Sequence, residues 1–399
     1  MINAPREAPR RARLTIFPLL ALVALLAPAA GHAAKKPKKQ DPDITVMSRN
    51  VYLGADLGPA INAGSIPEAV DAAGEILNQV DRTNFPARSK LLAREISRAK
   101  PDLLGLQEVA LWRQQTPSDY TTTPATEVRY DFLKTLRADL RDRGTPYRLV
   151  VKQNEFDEEL PADTDGDDST GNGPLAAFGA DLDGRLTMRD VILKRAGTKV
   201  KTGETDKAQF ENEYEVLLGG AVPIDVERGW VSVEAKVKGT KRTTKRRFRF
   251  VNTHLEAFGD PEIREAQARE LYAQGGPLRG TGKQLIFLGD INSGNQQDRI
   301  GSPFSNPEDP LAYNALTKDF GLIRVGKRQT CCYPSSDLSS EEIGGYRFDH
   351  TVDHVMVLPR IRQLGGYVTG GNPNVTTSEG LVSSDHGGVV SKLRLSKAR

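Results

Sequence analysis

The chain has 399 residues, enough for one large domain or two ordinary ones. Its formal charge of +3 resides in residues 1–33, which hold four arginines and one glutamate, so the remainder is about neutral and any affinity for polyanions has to be local. The only cysteines, Cys331 and Cys332, are adjacent, which excludes a cysteine-built zinc centre and is compatible with either a vicinal disulfide or two thiols.

Residues 1–13 carry Arg6, Arg10, Arg11 and Arg13 ahead of a nearly apolar run, 14–30, and small residues at 31–33. This three-part layout predicts a secretory signal peptide over 1–33, with an uncleaved anchor as the alternative. Arg10-Arg11 fits a twin-arginine signal poorly. Residues 34–43, AKKPKKQDPD, read as a disordered basic tether, and 44–399 as one domain with no internal repeat. Residues 44–47 read as a short strand, with Asn50 near its end. Ile66, Ala69, Val70, Ala73, Ile76, Leu77 and Val80 recur at helical steps and predict a helix over 65–80. Pro86 and Pro101 bracket a second helix over 86–100. Residues 102–109, DLLGLQEV, predict a buried strand with Glu108 at its far end.

A helix is expected over 126–143, a strand over 147–153, an acidic loop over 155–168 and a strand over 186–194. The acidic loop has part of a calcium-loop pattern, but Pro174 stands where the closing glutamate is needed. Residues 230–237 alternate apolar and polar and pair with 247–255 through a turn at 239–244. The hairpin tip is strongly basic (Lys236, Lys238, Lys241, Arg242, Lys245, Arg246, Arg247 and Arg249). It reads either as a phosphate contact beside the active site or as a solvated, edge-protecting hairpin. Asp260 can cap a helix opened by Pro261 and ended by Gly275-Gly276. Residues 285–288 predict a buried strand running into Gly289, Asp290 and Asn292. A strand over 350–358 carries Asp353 and His354, and 383–390 brings Asp385 and His386 to the start of the last strand.

Asn50, Glu108, His254, Asp290, Asn292, Asp353, Asp385 and His386 therefore all lie in or beside expected strands. Acidic and amide oxygens with few histidines favour magnesium, manganese or calcium over zinc. Two histidines beside carboxylates suit proton transfer near neutral pH.

Asn50, QEV at 107–109, NTHLE at 252–256, GDIN at 289–292, VDHV at 352–355 and SDHGGV at 384–389 stand in an order that resembles the endonuclease/exonuclease/phosphatase superfamily. That group includes deoxyribonucleases, abasic-site endonucleases, inositol-polyphosphate phosphatases and bacterial neutral sphingomyelinases. The resemblance runs from about residue 44 to residue 395. It implies an α/β, four-layered αββα sandwich of two mixed sheets, with helices outside and the site at one edge. It implies that Glu108 is the main ligand of Mg2+ (or Mn2+ or Ca2+), with Asn50 close by and Asp385 a further metal or site-orienting carboxylate. Asp290 and Asn292 correspond to the pair that orients the attacking water and holds the phosphoryl group. His386 corresponds to the base or phosphate-binding histidine, polarised by Asp353, and His254 to the one that stabilises leaving-group or transition-state charge. Arg189 is a candidate phosphate-binding residue.

The function implied is a secreted, metal-dependent phosphodiesterase, a monomer with no stable protein partner, acting on nucleic acid or a phospholipid headgroup. The basic hairpin beside His254 leans the reading toward nucleic acid. A sphingomyelinase or phospholipase C activity, a phosphomonoesterase and an inactive binding module are the alternatives. The sphingomyelinase branch often carries an exposed hydrophobic hairpin, and none is evident here. The segments between Asn50 and Glu108 and from 155 to 229 are expanded, and such insertions form the rim that selects substrate.

Overall fold

A computed structural model describes residues 41–166, 179–239, 245–280, 284–295, 310–326 and 329–396. The expected signal peptide, most of the tether, Pro174 and the tip residues Lys241 and Arg242 lie outside the described residues.

Strand β1 (Asp43–Asn50) leads into helices α1 (Gly58–Ile61), α2 (Ile66–Arg82) and α3 (Phe85–Ala99). Strands β2 (Leu103–Gln107), β3 (Leu111–Gln115) and β4 (Glu127–Asp131) precede helix α4 (Phe132–Asp142). A run of strands follows: β5 (Tyr147–Ala162), β6 (Leu182–Arg195), β7 (Lys201–Gln209), β8 (Tyr214–Leu218), β9 (Val222–Val226), β10 (Gly229–Lys238) and β11 (Lys245–His254). The chain then forms α5 (Pro261–Glu270), β12 (Gln284–Asp290), α6 (Leu311–Asn314) with a π-helical continuation (Ala315–Asp319), and β13 (Ile323–Arg324). It closes with α7 (Ser340–Ile343), β14 (Asp353–Val357), β15 (Ile361–Thr369) and β16 (Gly388–Leu395).

One sheet has the order β15-β16-β1-β2-β6-β3-β4, with β5 paired to β6; the second has the order β13-β14-β12-β11-β10-β7. Only β1–β2 and β11–β12 are parallel among these pairs. Alternation along the strands builds the layers. Val46, Leu103, Ile286, Leu288, Val355 and Val357 fill the space between the sheets. Their neighbours Met47 and Leu104 face Leu77, Leu92 and Leu136 of the first helical layer. Leu285, Phe287 and Met356 face Ala268 and Leu316 of the second. The result is the expected helix–sheet–sheet–helix sandwich.

Local signals set the helix ends. Ser65 accepts from the Glu68 N–H, and Asn84 from the Ala87 N–H, each with proline in the first turn. Three expectations are corrected. The 126–143 helix begins at Phe132, because Asp131 caps it and residues 127–131 pair with β3. Residues 155–162, read as acidic loop, continue β5 against β6. Asp260 sits at the α5 N-cap without a side-chain cap bond. The small β8–β9 hairpin also has the exposed apolar tip that the sequence did not reveal, with Leu217 and Val222 at the surface.

Gly105 lies where the sheets meet. A Cβ there would stand 2.2 Å from Leu288 Cδ1 and 2.6 Å from Asn252 Oδ1. Gly105→Ala should therefore lower stability by about 1–3 kcal/mol. Urea unfolding checks this, and an unchanged midpoint would contradict the tight inter-sheet contact.

The basic hairpin is not beside the site. The β10–β11 register runs from Gly229 opposite His254 to Lys238 opposite Lys245. Lys245, where β11 begins, is thus nine strand steps, about 30 Å, from His254. Two of its cations are also engaged: Arg246 pairs with Asp41, and Arg249 with Glu234 at 2.9 Å.

Candidate active site

Strands β1, β2, β11 and β12 all end at one rim of the sandwich, and the antiparallel β14 and β16 begin there. Asn50, Glu108, His254 and Asp290 leave the four ends, Asp353 opens β14, and Asp385 and His386 precede β16. Pairing sets Asp290 between His254 and Asp353. The Asn50 amide Nδ2 joins the two sheets, donating to Glu108 Oε1 at 2.7 Å and to Asp290 Oδ2 at 3.0 Å. Its Oδ1 accepts from the Tyr52 N–H at 2.9 Å, which fixes the amide orientation. Asn50 thus binds the two carboxylates to each other and turns its oxygen away from them.

Glu108 is turned out of its strand at φ 57°, a region that L-residues seldom adopt. The Leu53 N–H donates to its Oε2 at 2.8 Å. Arg189 holds this break in the strand. Its guanidinium donates to the carbonyls of Val109 at 2.7 Å and Ala110 at 2.9 Å, and to Asp131 at 2.8 Å. The expected phosphate contact by Arg189 is therefore corrected: the buried side chain is committed to backbone beside Glu108.

Asp290 is held by two donors, Asn50 Nδ2 on Oδ2 and the Asn292 N–H on Oδ1 at 3.0 Å. Asn292, also at positive φ, donates to the Leu255 carbonyl at 3.0 Å and lies 3.2 Å from His254 Nε2. On the other side of the His254 ring, Nδ1 lies 3.3 Å from Arg228 Nη1. Arginine and the Asn292 amide nitrogen both donate, so each ring nitrogen faces a donor, which disfavours a protonated ring. Burial, then the Arg228 charge, push the His254 pKa down to about 3. Arg228 is itself forked onto buried Glu256 at 3.2 and 3.3 Å.

His386 differs. Its Nδ1 lies 2.9 Å from Asp353 Oδ2 and 3.4 Å from Asp290 Oδ2. Burial disfavours the charged ring, but Asp353, Asp385 and Asp290 outweigh it and hold the imidazolium well above its ordinary range. Its backbone is pinned: Arg49 donates to the His386 carbonyl, and Ser384 Oγ accepts from its N–H at 3.2 Å. Cys331 and Cys332 are joined as a disulfide, with their sulfurs 3.6 and 3.8 Å from His386 Nε2.

Several participants are given no role by the sequence. Gln107 donates to Asn252, and Asn252 to the Leu106 carbonyl at 3.0 Å, forming a polar bridge between the sheets under the site. Glu155 and Asp190 are buried carboxylates without side-chain hydrogen-bond partners among the described residues, the Gly229 N–H facing Glu155. Burial, only partly offset by Arg228, pushes Glu155 up to about 8; burial and the Glu155 charge push Asp190 well above its usual range.

His354 points away from this cluster, with Nε2 donating to the Ser293 carbonyl at 2.9 Å. Burial pushes its pKa from 6.5 down to about 3. The neutral ring therefore stabilises the fold above pH 6.5, and that contribution is lost as pH falls from 6.5 toward about 3. The His354 C2 proton should keep its neutral NMR shift between about pH 8 and about pH 5. A titration midpoint near 6.5 would contradict this environment.

The donor set fits a divalent cation. Glu108 is pushed above its ordinary range by burial and by Asp385, and Asp353 Oδ1 is buried without a partner among the described residues. Asp290, Asp353 and His386 offer ligand atoms within 4.8 Å of one another. Hard oxygens with excess negative charge suit Mg2+, Mn2+ or Ca2+. Glu108, Asp385 and the Asp290–Asp353 pair are the residues that would hold it.

No protein-family model and no curated protein matches the sequence. Solved structures are similar. An endonuclease/exonuclease/phosphatase from Bacteroides vulgatus is 15% identical, over 89% of this chain and 100% of that one, with a TM-score of 0.48. One from Beutenbergia cavernae is 19% identical, over 89% and 72%, with the same TM-score of 0.48. TDP2 from D. rerio, complexed with single strand DNA product, is 14% identical, over 89% and 100%, with a TM-score of 0.46.

Proposed function

We propose that the protein is a secreted, divalent-metal-dependent phosphoester hydrolase, with phosphodiesters as its substrates. The observation that carries this reading is the convergence of Glu108, Asp290, Asp353 and His386 from two sheets onto one rim, joined by Asn50. A bound divalent cation supplies neutralisation of phosphoryl oxygen charge. Asp290, fixed by two N–H donors, orients a water for in-line attack. His386 meets a phosphoryl oxygen as a cation, with Asp353 holding its ring. His254, kept neutral beside Asp290, faces charge developing on the leaving oxygen. Arg189, Gln107 and Asn252 are positioning residues beneath these groups.

The preference for nucleic acid drawn from the basic hairpin loses its support, because Lys238 and Lys245 stand at the far ends of their strands from His254. The purified protein should hydrolyse bis-p-nitrophenyl phosphate with Mg2+ or Mn2+, and EDTA should stop it reversibly. No turnover with Mg2+, Mn2+ or Ca2+ would favour a binding module on the same fold.

A further inference from the structure

A cavity of about 340 Å³ opens directly onto the candidate metal site, with Glu108, Asp385 and Tyr52 at its mouth. Its walls come from the two expanded segments. Ala60, Ala73 and Leu77 of α1 and α2 form one side; Leu160 of β5, with Val216 and Ile224 of the β8–β9 hairpin, forms another. Trp112, Phe156 and Met188 complete a mostly aliphatic and aromatic lining, with Asp56, Glu158, Ser335 and Ser336 as its further polar residues. Arg228 reaches the cavity but is committed to Glu256.

The walls are pre-formed. The Trp112 indole N–H donates to the Leu53 carbonyl at 2.8 Å. Buried Arg88 donates to the carbonyls of Val51 at 3.0 Å and Tyr52 at 3.2 Å. Thr83 Oγ1 donates to the Gly54 carbonyl at 2.8 Å. The loop that frames the mouth is therefore tied down along its length.

Resting on the hydrolase reading above, we propose that this cavity binds an apolar alkyl or aryl substituent of the phosphoester whose phosphate sits at Glu108 and Asp385. Most of this wall is apolar and gives water few partners there, so an apolar group gains by displacing it. A cavity of about 150 Å³ accepts a benzene ring, so this one has room for roughly twice that: a chain of about ten carbons or a fused ring pair. A nucleobase fits worse, because over most of the wall its polar edges find no hydrogen-bond partner.

The test uses methyl, propyl, hexyl and decyl p-nitrophenyl phosphates, with phenyl and naphthyl esters as the aryl arm. kcat/KM should rise about three- to fourfold per methylene from methyl to hexyl and level off near decyl. A rise confined to the aryl esters sustains the proposal and narrows the occupant to rings. Ile224→Trp and Ala73→Phe, which fill the cavity away from the catalytic groups, should flatten the series while methyl ester turnover stays within about twofold. Flat series in both arms of the unmodified protein, or a dinucleotide preferred over the hexyl ester, would overturn it. Methyl ester turnover reports on the hydrolase reading alone. Should that fail, calorimetric binding of decyl phosphate against methyl phosphate with Mg2+ decides the pocket: tenfold or more tighter binding of decyl sustains it, and equal affinity overturns it.

Discussion

Glu108→Gln should lower phosphodiester turnover by about 1,000-fold, within the range that loss of one positioned charged group produces. The substitution keeps the shape, but glutamine has one acceptor: it keeps the bond from the Leu53 N–H and turns its NH2 toward the Asn50 amide that now donates to Glu108. It removes the charge that the oxygen cluster offers to a cation. It also relieves the repulsion that, with burial, raises the Glu108 pKa beside Asp385. The lost Asn50 bond and the relieved repulsion oppose each other, so thermal stability without metal should change by no more than about 2 kcal/mol while activity collapses. That contrast separates a functional carboxylate from a structural one. Turnover within about tenfold of the unmodified protein would remove Glu108 from the proposed chemistry.

His386→Ala should be nearly as severe, about 100- to 10,000-fold. Here activity and stability fall together, because Asp353 is buried and Oδ2 loses its imidazolium partner at 2.9 Å. Asp353→Asn in the same chain removes the stranded charge. The double variant should recover part of the lost stability and none of the lost turnover. If His386→Ala alone is as stable as the unmodified protein, the charged His386–Asp353 pair is not what the distances indicate. His254→Ala should be milder in stability, since a neutral ring leaves no charge behind.

The site was legible because each key residue ends or begins an apolar strand. LLGLQ before Glu108 and LIFLGD before Asn292 announce both a strand and the point where it stops. The four-layer fold was legible for the same reason, since the core strands alternate their two faces cleanly. What stayed hidden depends on long-range placement. Glu155 looked like part of an acidic surface loop, yet pairing with β6 buries it. Arg189 looked like a free cation, yet a break in the strand at 108–110 supplies carbonyls for it. The basic hairpin could have been placed correctly from strand direction alone. If His254 ends β11 at the site, the turn that begins β11 must lie at the other end. The cavity was hidden because its walls come from α1, α2, β5 and the β8–β9 hairpin, none of which forms it alone.

Mn2+ binding, followed by electron paramagnetic resonance on the purified protein and on Glu108→Gln and Asp385→Asn, probes the gathering of these oxygens most directly. Protein-bound Mn2+ should be present in the first and lost or sharply weakened in both variants. Equal Mn2+ binding in all three would show that these carboxylates do not build the metal site.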